Sequence, residues 1–311
     1  MSFKTKTLSA IVLATSALFG VGAQAGNVIY NTGASSTATV ALGVNDDGSL
    51  NTIPNITSNA GRTGLAFKFA DGSWRDATAP GCFCEGWGVS ANGTASGYAN
   101  VSSDGGPHNL TFGAATGVTG STVTTTASLT SLPGLVVTQA YKPATNAPGA
   151  LFRVDVTISN TTGSSLANVK YVRVMDWDVP PTEFNEFVTI KGTASTTLLE
   201  ESGANGFNSA NPLAAYGAAG YGCHDVDCTD AGPADHGAYF RFNFGSLADG
   251  ESYTFSIFYG AAGSEADALA AVGAEGLELY SFGQSNGGQR TGSPATYIFG
   301  FTGVGGTPVE E

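Results

Sequence analysis

The feature that most constrains this chain is the alternation in Leu151-Phe-Arg-Val-Asp-Val-Thr-Ile-Ser159. Phe152, Val154, Val156 and Ile158 fall on one side, and Arg153, Asp155 and Thr157 on the other. That period of two defines a strand with one buried face and does not suit a helix. A turn-rich segment, Asn160 to Ser165, follows, and its side chains readily bond their own backbone. A second strand, Asn168 to Asp178, places Val172, Val174, Asp176 and Asp178 on one face and Tyr171, Arg173, Met175 and Trp177 on the other. Pro180-Pro181 ends it, because proline has no N–H for a sheet ladder. The expectation is a hairpin whose far end carries two carboxylates, with Glu183 and Glu186 close behind.

Similar patterns recur along the chain. Asn27 to Tyr30, Ala38 to Leu42, Leu65 to Phe69, Leu135 to Tyr141, Phe187 to Ile190, Thr196 to Leu199, Leu277 to Tyr280 and Thr296 to Phe301 all read as strands. Ala238 to Phe244 and Tyr253 to Tyr259 read as a further hairpin joined by Gly245 to Gly250. One helix is expected over Gly263 to Val272, with Ser264 as its cap and Asp267 completing the capping pattern. These elements predict an all-β fold, an extended antiparallel β-sandwich with one short helix near the C-terminus. The sandwich is expected over residues 26–302, as one body or as two packed halves meeting near residues 131–141, with a loose tail over 303–311.

The first 25 residues have the form of a secretory signal peptide. Lys4 and Lys6 supply the charged start, Leu8 to Val21 the apolar run, and Ala23-Gln-Ala25 the small-residue cleavage site. A secreted protein, extracellular or periplasmic, is therefore expected, with no membrane insertion after cleavage. Removing Lys4 and Lys6 from the 12 Lys and Arg leaves ten basic residues against 25 acidic ones, a formal charge of −15. A polyanion of this kind is repelled by nucleic acid and by anionic membranes, but it is compatible with divalent cations.

Cys82, Cys84, Cys223 and Cys228 are an even number in an exported chain, which favours disulfides. Cross-links between the two clusters, or a local Cys223–Cys228 bond, fit disulfide geometry more easily than the small ring of a Cys82–Cys84 bond. Zinc competes with disulfides, because His224 adjoins Cys223.

Two loops are dense in functional residue types. Asp71 to Trp87 carries two tryptophans, and Trp74 and Trp87 could form a flat platform for a carbohydrate or peptide. Cys223 to Gly237 carries Asp225, Asp227, Asp230, Asp235 and His236. If that loop meets the end of the 168–178 strand, then Asp176, Asp178, Glu183, Glu186, Asp225, Asp227, Asp230 and Asp235 supply the hard oxygen ligands that calcium takes. His236 joins Trp74 and Trp87 as a candidate ligand-binding residue. The competing assignment pairs Asp176 with Arg173 or Arg241 and leaves Asp225 to Asp235 solvated or capping turns. A glycosidase pair, Asp178 with Glu183 or Asp235, or a proton-abstracting His236 or His224, can be drawn from the same residues. No nucleophile elbow, phosphate loop or zinc-protease motif accompanies them.

Three stretches, Arg173 to Phe184, Gly232 to Gly237 and Phe258 to Leu269, resemble a pattern of exported bacterial surface proteins, many of which end in a PEP-type C-terminal sorting signal. The resemblance implies export and a β-rich surface domain, and it brings no catalytic residues. The apolar span and basic tail of a sorting signal do not follow Thr307-Pro-Val-Glu-Glu311, so release is expected over anchoring. The expected function is a secreted structural, matrix or adhesive component of the cell exterior, with polysaccharide or other matrix proteins as partners. A calcium-dependent carbohydrate-binding module, or a carbohydrate-active enzyme, is the alternative.

Overall fold

A computed structural model describes residues 26–218, 222–285 and 292–309. The expected signal peptide and the last two residues of the tail lie outside them. The strands begin with β1 (Gly26–Tyr30), β2 (Val40–Asn45), β3 (Leu65–Lys68) and β4 (Trp74–Asp76), then β5 (Gly86–Ala91), β6 (Ala95–Asn100) and β7 (Gly106–His108). Next are β8 (Leu110–Phe112), β9 (Val123–Leu129), β10 (Leu132–Pro143), β11 (Leu151–Asn160) and β12 (Lys170–Trp177). The chain continues through β13 (Glu186–Lys191), β14 (Leu199–Gly203), β15 (Cys228–Ala234), β16 (His236–Asn243) and β17 (Ser252–Ala262). The helix α1 (Glu265–Glu275) and the strands β18 (Leu279–Gln284) and β19 (Thr296–Thr302) complete it.

All pairings between these strands are antiparallel, in three sheets. β1 to β4 form a four-stranded meander, β15-β13-β18-β19-β17-β11-β10-β9-β8 a nine-stranded sheet, and β14-β16-β12-β5-β6-β7 a six-stranded one. The segment 131–141 lies almost wholly in β10, hydrogen-bonded to β9 on one side and β11 on the other.

The nine- and six-stranded sheets meet through aromatic side chains. Tyr171 lies 5.1 Å from Phe255, Phe240 5.6 Å from Phe299 and Phe242 4.9 Å from Phe301, centroid to centroid. Contacts of this kind add about 0.5–1.5 kcal/mol each beyond the area they bury. Ile29, Val40 and Leu42 of the meander join the same core, and Phe67 meets Tyr297 edge-on at 6.3 Å. α1 buries Ala268, Ala271 and Val272 against a second cluster with Phe258, Phe282 and Ile298. The Ser264 hydroxyl accepts from Asp267 N at its start, and Gly276, at φ 64°, ends it.

Two expected hairpins are corrected. β11 and β12 do not pair: β11 lies between β10 and β17, whereas β12 lies between β5 and β16. β16 and β17 are likewise split between the two sheets. The reason is burial on both faces of β12, where Tyr171, Met175 and Trp177 face the main core while Val172 and Val174 pack with Ala210 and Tyr239 on the other side. A strand covered on both faces sits between layers, and both edges of β12 are taken by β5 and β16. The strand expected over Thr196 to Leu199 is displaced: Thr196 to Leu198 lie in a turn region, and the strand β14 runs over Leu199–Gly203.

Candidate metal centre

The alternation of β12 sets the site. Val172 and Val174 face outward from the main core, so Asp176 continues their row, and Asp178 follows just past the strand end. In the β12–β16 ladder, Asp176 stands opposite Gly237 and Trp177 opposite His236, which brings the Asp235-His236 junction alongside. Glu186 opens β13 opposite Ala234. One carboxylate oxygen from each of Asp176, Asp178 and Asp235 lies within 4.8 Å of the other two. Asp176 is 1% and Asp178 0% exposed, whereas Asp235 is half-buried and marks the side nearest solvent.

Close backbone packing encloses the cluster. A Cβ on Gly237 would stand 2.2 Å from Gly206 Cα and 2.4 Å from Met175 O, so only glycine lets the 204–208 loop lie on the strands there. On another side sits a Cys82–Cys84 disulfide, with Cys82 Sγ 3.2 Å from Asp176 Oδ2. A disulfide sulfur carries no hydrogen, so this contact donates nothing to the carboxylate. Asp176 Oδ1, both carboxylate oxygens of Asp178 and Asp235 Oδ1 are buried without a hydrogen-bond partner. An unsatisfied buried polar atom costs about 1–3 kcal/mol, and more when charged. Glu186 differs, since His236 N donates to its Oε1 at 2.6 Å and Asn185 N to its Oε2 at 3.0 Å.

Protein cations do not supply the missing partner. Arg173 Nε donates to Glu85 Oε1 at 2.5 Å, and Arg241 pairs with Glu200 and Glu201. Among the described residues, no Lys or Arg forms an ion pair with Asp176, Asp178 or Asp235. Burial, reinforced by neighbouring carboxylates, pushes Asp178 up to about 10 and Glu186 up to about 9. Burial also raises Asp235, and burial with the Asp235 charge raises Asp176 well above the usual carboxylate range. Burial lowers His236 to about 4, which keeps its ring neutral at pH 7. The enclosure therefore holds carboxyl groups that are costly to ionise until a cation accompanies them.

No protein-family model matches the chain, and no curated protein matches it. What the site can do is decided by its own geometry.

The other sequence-selected acids lie apart from this cluster. Glu183 Oε1 accepts from Asn59 Nδ2 at 2.9 Å. Residues 228–234 are a strand and not a loop: β15 runs along β13 with Ala231 opposite Val188 and Cys228 opposite Ile190. At about 3.3 Å per residue, Asp227 is carried more than about 13 Å from the Glu186 end. Its Oδ1 accepts from Thr193 N and Oγ1. Asp230 N donates to Thr189 Oγ1 at 3.1 Å. Asp225 Oδ1 accepts from Ser202 N at 2.7 Å, and with Glu201 and His224 it forms a separate, more exposed group.

Trp87 is wholly buried, stacks on Tyr171 at 6.0 Å and donates from Nε1 to Asp47 O. Trp74 is half-buried against Tyr30, with Lys68 Nζ 5.6 Å from its ring. His236 is 1% exposed, so it sits beneath the surface. All four cysteines pair within their own clusters, Cys82 with Cys84 and Cys223 with Cys228, and no free thiol remains to hold zinc. The unfavoured Cys82–Cys84 pairing is adopted where the chain folds back after Pro80, with the Cα atoms 5.3 Å apart, inside the span a disulfide needs. Neither the disulfide against Asp176 nor the Gly206 contact has a sequence signature beyond the glycine in Asp235-His-Gly237.

Proposed function

We propose that this chain is an exported structural β-sandwich of the cell exterior, serving in a matrix or in adhesion. The observation that carries this reading is the enclosure of its best cluster of ionisable groups. Carboxylates that cleave a glycosidic bond must flank the sugar, roughly 5–5.5 Å apart in retaining enzymes and 6.5–9.5 Å in inverting ones, and the sugar must reach them. Here Asp176 and Asp178 are 0–1% exposed, beneath a disulfide and a glycine-packed loop. A polymer does not reach them.

An adhesive role has support on the outer face of the nine-stranded sheet. Thr126, Thr138, Thr157 and Thr254 fall in one cross-strand row, and their hydroxyls meet in pairs at 3.3 and 3.0 Å. Ser159 and Ser252 form a second contact at 2.8 Å beside it. An uncharged hydroxyl row suits a neutral polysaccharide surface, which a chain of this negative charge can approach without repulsion. Glycan capture by the tryptophan loop has less support, because only Trp74 retains exposed surface.

The test combines turnover with attachment. The purified mature protein, incubated with neutral and acidic polysaccharides, is expected to release no reducing ends. It is expected to bind an insoluble neutral polysaccharide, and T138K/T157K is expected to lose most of that binding. Turnover at an ordinary enzymatic rate that disappears in D178N would overturn the structural reading.

A further inference from the structure

We propose that Asp176, Asp178 and Asp235 form a calcium site that staples the six-stranded sheet to the nine-stranded one. This names the occupant of the same enclosed cluster that supports the structural reading.

Four observations converge on it. Both oxygens of Asp178, together with Asp176 Oδ1 and Asp235 Oδ1, are buried without a donor, so the fold leaves oxygen ligands aimed at one another. Their spacing fits a shared ion: oxygens bound to one calcium at 2.3–2.6 Å stand at most about 5 Å apart, and the three carboxylates meet within 4.8 Å. The cations that could have neutralised them are bound elsewhere, Arg173 to Glu85 and Arg241 to Glu200 and Glu201. The donor set is all oxygen, because Cys82 and Cys84 are disulfide-bonded and offer no thiolate.

Calcium fits better than magnesium. Carboxylates contributed by the end of one strand and by a strand junction form an irregular shell that water can complete, whereas magnesium needs a near-ideal octahedron. Asp235, nearest to solvent, provides the way in. Glu186 is a positioning residue, since its Oε1 holds the backbone N–H of His236 and so fixes the turn that carries Asp235. β12 and β16 belong to the six-stranded sheet, and β13 and β15 to the nine-stranded one. An ion at this junction therefore ties the two layers together at one end of the sandwich.

The experiment uses the full mature protein, stripped with EDTA and dialysed, then titrated calorimetrically with CaCl2, MgCl2 and NaCl. One calcium per chain is expected, with at least tenfold weaker magnesium binding and no sodium uptake at matched ionic strength. In calcium at a hundred times its Kd, the melting temperature is expected to rise by about 5 °C or more over the EDTA sample. D178N and D235N are each expected to lose at least tenfold in affinity; D235N, at the more exposed position, keeps the test decisive if D178N fails to fold. Absence of calcium uptake with identical melts in calcium and EDTA overturns the site, as does unchanged affinity in D235N. Magnesium binding as tight as calcium overturns the assignment to calcium. Polysaccharide turnover bears on the structural reading alone, so the two can fail separately.

Discussion

Arg173 donates from Nε to Glu85 Oε1 at 2.5 Å, and both side chains are 0% exposed. Tyr259 OH donates to the same oxygen at 3.0 Å, and Arg173 Nη1 donates to Gln139 Oε1 at 2.6 Å, so the pair sits in a satisfied network between sheets. This pairing shapes the acidic site, because Arg173, three residues before Asp176 on β12, points to the opposite face and neutralises a different carboxylate. The acids at the strand end are left for a cation from solution.

Replacing Arg173 by Met is therefore expected to strand Glu85 as an uncompensated buried charge and to destabilise the fold by about 3–5 kcal/mol. The double variant R173M/E85Q is expected to recover a large part of that loss. Urea unfolding of the single and double variants measures both values, and an equal loss in the two would show that the ion pair does not carry the effect.

The cation-free protein is expected to respond to pH in the opposite direction from ordinary acid unfolding. Asp178 is raised to about 10 and Glu186 to about 9, each by burial first and then by neighbouring carboxylates. Because their folded values lie above the unfolded ones, the folded state holds more protons between about pH 4 and pH 9–10. Their contribution is fully present below about pH 4 and is lost as pH rises towards those folded values. Asp176, Asp235 and Asp76 are shifted upward as well and act in the same sense. Urea melts in EDTA at pH 6 and pH 9 are expected to show lower stability at pH 9, and saturating calcium is expected to remove most of the difference.

D178N separates charge from shape. In EDTA at pH 8 the neutral amide is expected to stabilise the protein by about 1–3 kcal/mol, since it removes a buried acid that must take up a proton or carry an unpaired charge on folding. The same variant is expected to gain less from calcium in its melting temperature than the unmutated protein.

Gly237 is expected to tolerate no side chain. The Cβ of G237A would fall 2.2 Å from Gly206 Cα, which is backbone and cannot rotate away. A destabilisation of about 1–3 kcal/mol is expected from overpacking, together with weaker calcium binding as the loop lifts from Asp176. Thermal melting and calcium titration of G237A, with G263A as an unobstructed control, check both effects.

The β class was legible because Phe152, Val154, Val156 and Ile158 alternate so cleanly, and the capping residues of α1 announced the helix. Asp176, Asp178, Glu186 and Asp235 were all among the acids selected from the sequence. Which strands would pair was not legible, because hydrophobic patterning fixes the faces of a strand and leaves its neighbours open. β12 and β11 are consecutive yet lie in different layers. β15 was missed because Cys-Thr-Asp-Ala-Gly-Pro-Ala has no apolar alternation; it sits at a sheet edge, where proline is tolerated. Without that alternation, the sequence around Asp227 and Asp230 has the form of a loop able to fold onto the site, whereas β15 carries them away from it. Trp87 cannot serve as a platform because it lies in β5, whose residues are all buried.

The most direct measurement is anomalous diffraction from crystals of the protein grown in CaCl2. A peak is predicted between Asp176, Asp178 and Asp235, with both oxygens of Asp178 or one of them at about 2.3–2.6 Å. Density there for a protein cation, or for water alone at saturating calcium, would contradict the account.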